Sequence, residues 1–331
     1  MSDPFYILSL SGGGYLGLYT IAVLAALEEA SGVPIARRFD LIAGTSVGGI
    51  IALGLAAEVP AAQIKEAFER DGTSIFSERP ATRGKLGALR DLARYWCKPK
   101  YSSDPLRQTV AGIVGAQTRI GDLKHPVIVP AVNLTKGGPQ LFKTPHHPDF
   151  SHDLKLQVTD VALATAAAPT YFPVAEIGNS LFADGGLYAN SPDLLAVHEA
   201  ETFFERSEKD IHLLSIGTTT SQFSFSHANG RQLGAFAWMS EQRLVSVIIA
   251  AQQHSVDFML KHRLGDRYLR IDALQSKEQE RDLALDIATP SARSTIKGLA
   301  EASVQSNINN PRLRGFLSYL APPSRFFHSI A

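Results

Sequence analysis

The chain has a single cysteine, Cys97, among 331 residues. One thiol cannot close an intrachain disulfide or build a cysteine metal cluster, so cross-links do not hold this fold together, and a reducing compartment suits it. Cys97 reads as a buried, inert side chain. Net charge is also missing: 32 Lys and Arg balance 32 Asp and Glu. Without a global field, nothing draws in DNA or RNA. No apolar run approaches the ~20 residues that span a bilayer. The Met1-Ser2-Asp3-Pro4 start lacks the basic residues of a secretory signal, and the apolar run at 5–10 is too short for its core. The expectation is a cytoplasmic protein that meets lipid, if at all, at the inner membrane surface. There is no H-E-x-x-H pattern and no cysteine-histidine cluster, so no metal is implied.

What is present is an ordinary globular composition, 45% hydrophobic and 19% charged, with 26 Gly and 18 Pro. The length suits two domains on average, but large α/β sheets absorb as much in one. No clean linker is visible, so residues 1–331 are expected to form a single domain. Its motif-bearing part spans about 5–195 and its helical C-terminal part about 230–331.

The first third alternates strand, glycine turn and helix: strands at 5–10 and 39–43, helices at 19–30 and 47–57. Further strands are predicted at 126–134, 211–216 and 267–271, and a small-residue helix at 160–168 stopped by Pro169. Residues 60–120 interrupt the regularity. Alternation of this kind argues for a mostly parallel sheet with helices on its faces.

Gly44-Thr45-Ser46-Val47-Gly48 falls between a predicted strand and a predicted helix. A serine on such a turn exposes its hydroxyl, flanking glycines relieve the strained backbone, and the helix N-terminus brings free N–H groups. Ser11-Gly12-Gly13-Gly14-Tyr15-Leu16-Gly17 occupies a second strand-to-helix turn. As a dinucleotide fingerprint it lacks the acidic residue at the end of the second strand, since Asp40 stands at its start. As a run of backbone N–H groups it suits a tetrahedral oxyanion; a plain tight turn is the bland alternative. Leu181-Phe182-Ala183-Asp184-Gly185-Gly186 places a carboxylate at the end of a short apolar strand, read as held at a sheet edge. Alone, such an Asp-Gly pair is usually a hairpin turn.

Together, in this order, the three elements resemble the patatin-like phospholipase family over about residues 5–195. Thr165-Ala166-Ala167-Ala168-Pro169-Thr170-Tyr171-Phe172-Pro173 is similar to the family segment before the catalytic Asp. The resemblance implies a patatin-like three-layer α/β fold with a mostly parallel central sheet. It implies Ser46 as nucleophile and Asp184 as base. The oxyanion hole falls to Gly12, Gly13 and Gly14, with Gly12 shaping the loop and the Val47 N–H as a further donor. Gly17, Gly44, Gly48, Gly185 and Gly186 are the motif glycines. No cofactor is required for this catalysis. One departure stands out: Leu16 occupies the place before Gly17 where the family usually has a basic residue.

The Leu8-Ser9-Leu10-Ser11-Gly12-Gly13-Gly14-Tyr15 start and the helical tail at 238–257 also resemble bacterial patatin-like effectors of anti-phage signalling. That resemblance implies a membrane phospholipid substrate, a cyclic GMP-AMP-like activating ligand and assembly into a homo-oligomer. Two rival readings stay open at this point. In a Ser-His-Asp esterase, one of His198, His212, His254 or His262 would serve as the base. A lipid-binding or storage protein would keep the shape without turnover. The stretch 79–107 carries eight Lys or Arg against two Asp, with Arg83, Arg90 and Arg94 beside Tyr95 and Trp96; it reads as an anionic-lipid contact or a solvated basic helix. The aromatics of 223–238 suggest a lid.

Overall fold

The computed structural model describes residues 3–76, 98–219, 238 and 243–329. Cys97, the basic and aromatic positions at 79–97 and residues 223–237 of the expected lid lie outside the described residues.

Among the described residues, eight strands form one sheet in the order β5-β6-β3-β2-β1-β7-β8, with β4 also paired to β3. They are β1 (Phe5–Leu10), β2 (Leu41–Gly44), β3 (Val127–Asn133), β4 (Gly138–Lys143), β5 (Ala175–Ile177), β6 (Ser180–Asp184), β7 (Ile211–Ile216) and β8 (Tyr268–Ile271). β3, β2, β1, β7 and β8 run parallel, while β4 and β6 run antiparallel to β3. The period-two alternation of β1 explains the layering. Leu8 and Leu10 face one apolar core and Phe5 and Ile7 face the other, all of them buried.

On the first face lie α1 (Gly17–Ser31), α2 (Val47–Ala56), α3 (Ala61–Ile75), α4 (Asp104–Val114) and α5 (Val158–Thr165), together with α9 (Pro290–Asn307) and α10 (Pro311–Ser318). On the second face, α7 (Asp193–Thr202) and α8 (Arg243–Leu264) cover β1, β2 and β7. The short α6 (Gly186–Ala189) leads from β6 towards α7. α2 is buried along its whole length, which its unbroken apolar sequence requires. α3 instead buries Ala61, Ile64, Ala67, Phe68, Gly72 and Ile75, a helical stripe within the stretch that looked irregular in sequence.

The edge of β3 opposite β4 decides the location of the site. β4 takes one edge from Ile128 to Asn133. The other edge is shared: β2 pairs at Val127 and Ile128, and β6 pairs at Ala131 to Asn133. The C-terminal ends of β2 and β6 therefore meet head-on beside Pro130. Asp184 is not on an edge strand, as its sequence suggested. The three-residue β5 flanks β6 as far as Phe182, leaving only the Asp184 end uncovered on that side. Polar Glu176 in its centre hid β5 from a reading based on apolar runs. Among the described residues, no helix is long and apolar enough to cross a membrane.

Candidate active site

Ser46 follows β2 and opens α2 with φ 55° and ψ −125°. A non-glycine residue in that region costs about 1–3 kcal/mol and persists only where its surroundings hold it. Here Thr165 does so: its hydroxyl accepts the Ser46 N–H at 3.0 Å and donates to the Pro130 carbonyl at 2.6 Å. Pro130 sits where β2 and β6 divide the edge of β3, so its carbonyl takes a side-chain partner. Gly44 and Gly48 are dictated by close approach. A Cβ on Gly44 would overlap the Gly48 carbonyl, and one on Gly48 the Leu10 carbonyl. Likewise Gly17 packs on Val47, and Gly185 on the Pro130 carbonyl.

The Ser46 hydroxyl donates to Asp184 Oδ2 at 2.7 Å. The second carboxylate oxygen, Oδ1, accepts the Gly186 N–H at 2.7 Å. Backbone bonds from the Asp184 N–H to Ala167 and from the Gly185 N–H to Thr165 fix the strand end against the C-terminus of α5. Both side chains are buried, Ser46 to 9% exposure and Asp184 to 6%. Burial pushes the Asp184 carboxyl up to about 6, against the lowering effect of the Gly186 N–H and the Ser46 hydroxyl. A carboxylate so placed is a stronger base than one in water.

The glycine loop lies across from this pair. The Gly12 N–H donates to the Asn190 carbonyl at 2.9 Å, so it is not free to serve as an oxyanion donor. Its carbonyl accepts from Asn190 Nδ2 at 3.2 Å and from the Thr218 hydroxyl at 3.1 Å. Gly12 therefore anchors the loop. Among the described residues, no protein acceptor takes the N–H of Gly13, Gly14 or Val47. Gly14 has φ +55°, and a Cβ there would overlap the Leu285 carbonyl, which also accepts the Tyr15 N–H at 2.7 Å. Leu16 is buried in the apolar core, so at this position the loop is backed by packing and carries no charge.

None of the four candidate histidines is hydrogen-bonded to Ser46 or Asp184 among the described residues. His198, His254 and His262 are exposed, and His212 stacks on Tyr6. No group of His, Cys, Asp and Glu among the described residues is arranged to hold a metal ion. Of the basic stretch, Lys100 pairs with Asp286, and Arg107 with Asp160. The positioning roles of Thr165, Asn190 and Thr218 carried no sequence signal of their own. Thr165 and Asn190 lie inside or just after recognised segments, but only the three-dimensional arrangement shows what they hold.

A family profile described as patatin-like phospholipase matches residues 8–197. A cGAMP-activated phospholipase of Pseudomonas aeruginosa is 43% identical over 98% of this chain and 95% of its own length. One of Escherichia coli is 38% identical over 96% and 94%. A cUMP-AMP-activated phospholipase of Escherichia coli is 30% identical over 64% and 63%. With its profile match over more than half the sequence and near full-length relatives, the chain belongs to the patatin-like phospholipase family.

Proposed function

We propose that this chain cleaves the acyl ester bonds of membrane phospholipids with a Ser46–Asp184 dyad, and that a cyclic dinucleotide switches it on. The observation that carries the catalytic reading is the 2.7 Å hydrogen bond from Ser46 Oγ to Asp184 at the meeting ends of β2 and β6. In the proposed reaction Asp184 takes the Ser46 proton as Oγ attacks the ester carbonyl. The N–H groups of Gly13 and Gly14, with that of Val47 at the start of α2, receive the oxyanion. The protonated Asp184 gives its proton to the departing alcohol, leaving an acyl-serine. It then takes a proton from water as that water attacks the acyl carbonyl, and returns it to Ser46 Oγ as the acyl–Oγ bond breaks and the free acid is released.

Activation by a cyclic dinucleotide is carried over from relatives named as cGAMP-activated phospholipases. Their similarity extends through the C-terminal helices, beyond the residues the family profile matches. The same reading makes the chain one folded unit that self-associates when active and works from the water side of the inner membrane.

The test is turnover of a fluorogenic phospholipid by the purified chain and by Ser46→Ala, with chelator, with and without cyclic GMP-AMP. Hydrolysis that survives chelator, depends on nucleotide and vanishes in the variant is expected. Turnover retained in Ser46→Ala overturns the dyad. Absence of turnover under every condition favours a lipid-binding protein instead.

A further inference from the structure

Gln252 lies on α8, outside the residues matched by the family profile, yet its amide reaches two backbone groups of the segment that follows Asp184. Oε1 accepts the Asn190 N–H at 3.2 Å, and Nε2 donates to the Leu187 carbonyl at 2.8 Å. A helix of four residues such as α6 leaves most of its backbone groups without internal partners. An amide offers one acceptor and one donor side by side, which is the pattern an orphaned N–H and C=O require. Because the two targets differ in kind, only one orientation of the amide satisfies both.

Asn190 passes this constraint on. Its carbonyl accepts the Gly12 N–H and its side-chain amide donates to the Gly12 carbonyl, so both peptide groups of Gly12 are tied to it. Gly13 and Gly14, the proposed oxyanion donors, follow directly. A hydrogen-bonded path therefore runs from α8 through Gln252 and Asn190 to the oxyanion loop. The Asp184-Gly185-Gly186 turn is held by the same clamp at Leu187.

We propose that Gln252 is a positioning residue for the reaction. By fixing Asn190 and Leu187 it sets the register of the oxyanion donors against Ser46, and it makes the seating of α8 a determinant of turnover. This rests on the Ser46–Asp184 reading. Transition-state stabilisation by backbone donors depends steeply on geometry, whereas ground-state lipid binding does not, so the effect should fall on kcat.

The test uses the full chain, cyclic GMP-AMP and a fluorogenic phospholipid. Gln252→Met keeps the volume and stem packing and removes both hydrogen bonds; Gln252→Glu keeps the acceptor alone. Expected for Gln252→Met is a kcat about tenfold lower, about 1.4 kcal/mol of lost transition-state stabilisation, with KM within about twofold. Gln252→Glu should fall between it and wild type. Combined with Asn190→Ala, Gln252→Met should cost little more than the poorer single variant, because both act on one path. Wild-type kcat in Gln252→Met, or fully additive losses in the double variant, overturns the proposal. Ser46→Ala is run alongside. Turnover retained there overturns the dyad and the relay with it. Turnover lost there while Gln252→Met keeps wild-type kcat overturns the relay alone.

Discussion

The Ser46 N–H points at the Thr165 hydroxyl, 3.0 Å away, and that hydroxyl spans the gap where two strands divide one edge of β3. Thr165→Val keeps the shape but strands a buried N–H and a buried carbonyl. Each unsatisfied group costs about 1–3 kcal/mol. The expected outcome is a loss of about 2–4 kcal/mol in urea unfolding and a fall in kcat, as the strained Ser46 backbone relaxes. Thr165→Ser should recover most of both, and a Thr165→Val protein of wild-type stability would show that the hydroxyl does not hold the turn.

Turnover should follow the ionisation of Asp184. The base form is the carboxylate, and burial pushes its carboxyl up to about 6. The expected kcat/KM rises with pH through an apparent value near 6 and is flat above about 7.5. Asp184→Asn should lower kcat about 10²–10⁴-fold and abolish that rise. A pH profile unchanged in the residual activity of Asp184→Asn would assign the ionisation to another group.

The raised carboxyl also has a sign for stability. In the folded state Asp184 binds a proton that the unfolded chain has already released between about pH 4 and 6. Stability contributed by this group therefore falls as pH rises through that window, and the deficit is fully present above it. A rise from the ordinary carboxylate range to about 6 corresponds to about 3 kcal/mol. Asp184→Asn removes the deficit but turns an amide nitrogen towards one of two donors, Ser46 or Gly186. A net gain of about 1–2 kcal/mol at about pH 8, shrinking towards about pH 4, is expected in urea unfolding at the two pH values.

How much of this was legible in advance differs between levels. The strands at the centre of the sheet, β1, β2, β3 and β7, are apolar on both faces and stood out as runs. Ser46, Asp184 and the glycines stood out because their turns need a strained backbone at Ser46 and Gly14 and close approach at Gly44, Gly48 and Gly185. β4 and β5 did not, because polar Gln140 and Glu176 interrupt their apolar residues. The meeting of β2 and β6 on one edge of β3 is a matter of register between strands about 140 residues apart, which local patterning does not encode. What holds Gly12 was illegible for a related reason: its N–H is taken by Asn190, a partner 178 residues away.

The glycine loop offers a graded comparison. A Cβ on Gly14 meets the backbone carbonyl of Leu285 and requires an L residue at φ +55°, so nothing nearby can yield cheaply. The three atoms nearest to a Cβ on Gly13 all belong to the Thr218 side chain. Gly14→Ala should therefore lower kcat far more than Gly13→Ala, and Thr218→Ala should relieve Gly13→Ala only in part, because the Thr218 Cβ stays 2.6 Å from the added methyl and the hydroxyl that anchors the Gly12 carbonyl is lost. Equal losses in the two glycine variants would place the constraint outside the loop's packing.

Beneath the loop, Asp193 is fully buried and accepts from Ser9 at 2.5 Å, Ser191 at 3.0 Å and Tyr268 at 3.1 Å. Arg270 lies in the same layer, paired with Asp272 at 2.7 Å and donating to Ser215 at 2.8 Å. Burial works against its charge, yet Asp272 and Asp193 hold its guanidinium firmly protonated. Removing the cation leaves the buried Asp193 and the half-buried Asp272 without their shared counter-charge, whereas neutralising Asp193 leaves an intact Arg270–Asp272 pair. Arg270→Met should cost about 3–5 kcal/mol in urea unfolding, and Asp193→Asn no more than about 2. Arg270→Met should cost less when made in the Asp193→Asn background, since one of the stranded charges is then gone. Strictly additive costs would mean that the two groups do not share a field. Ser191, which donates to Asp193, lies next to Asn190, so any loss of this layer should also lower kcat through the Gly12 anchor.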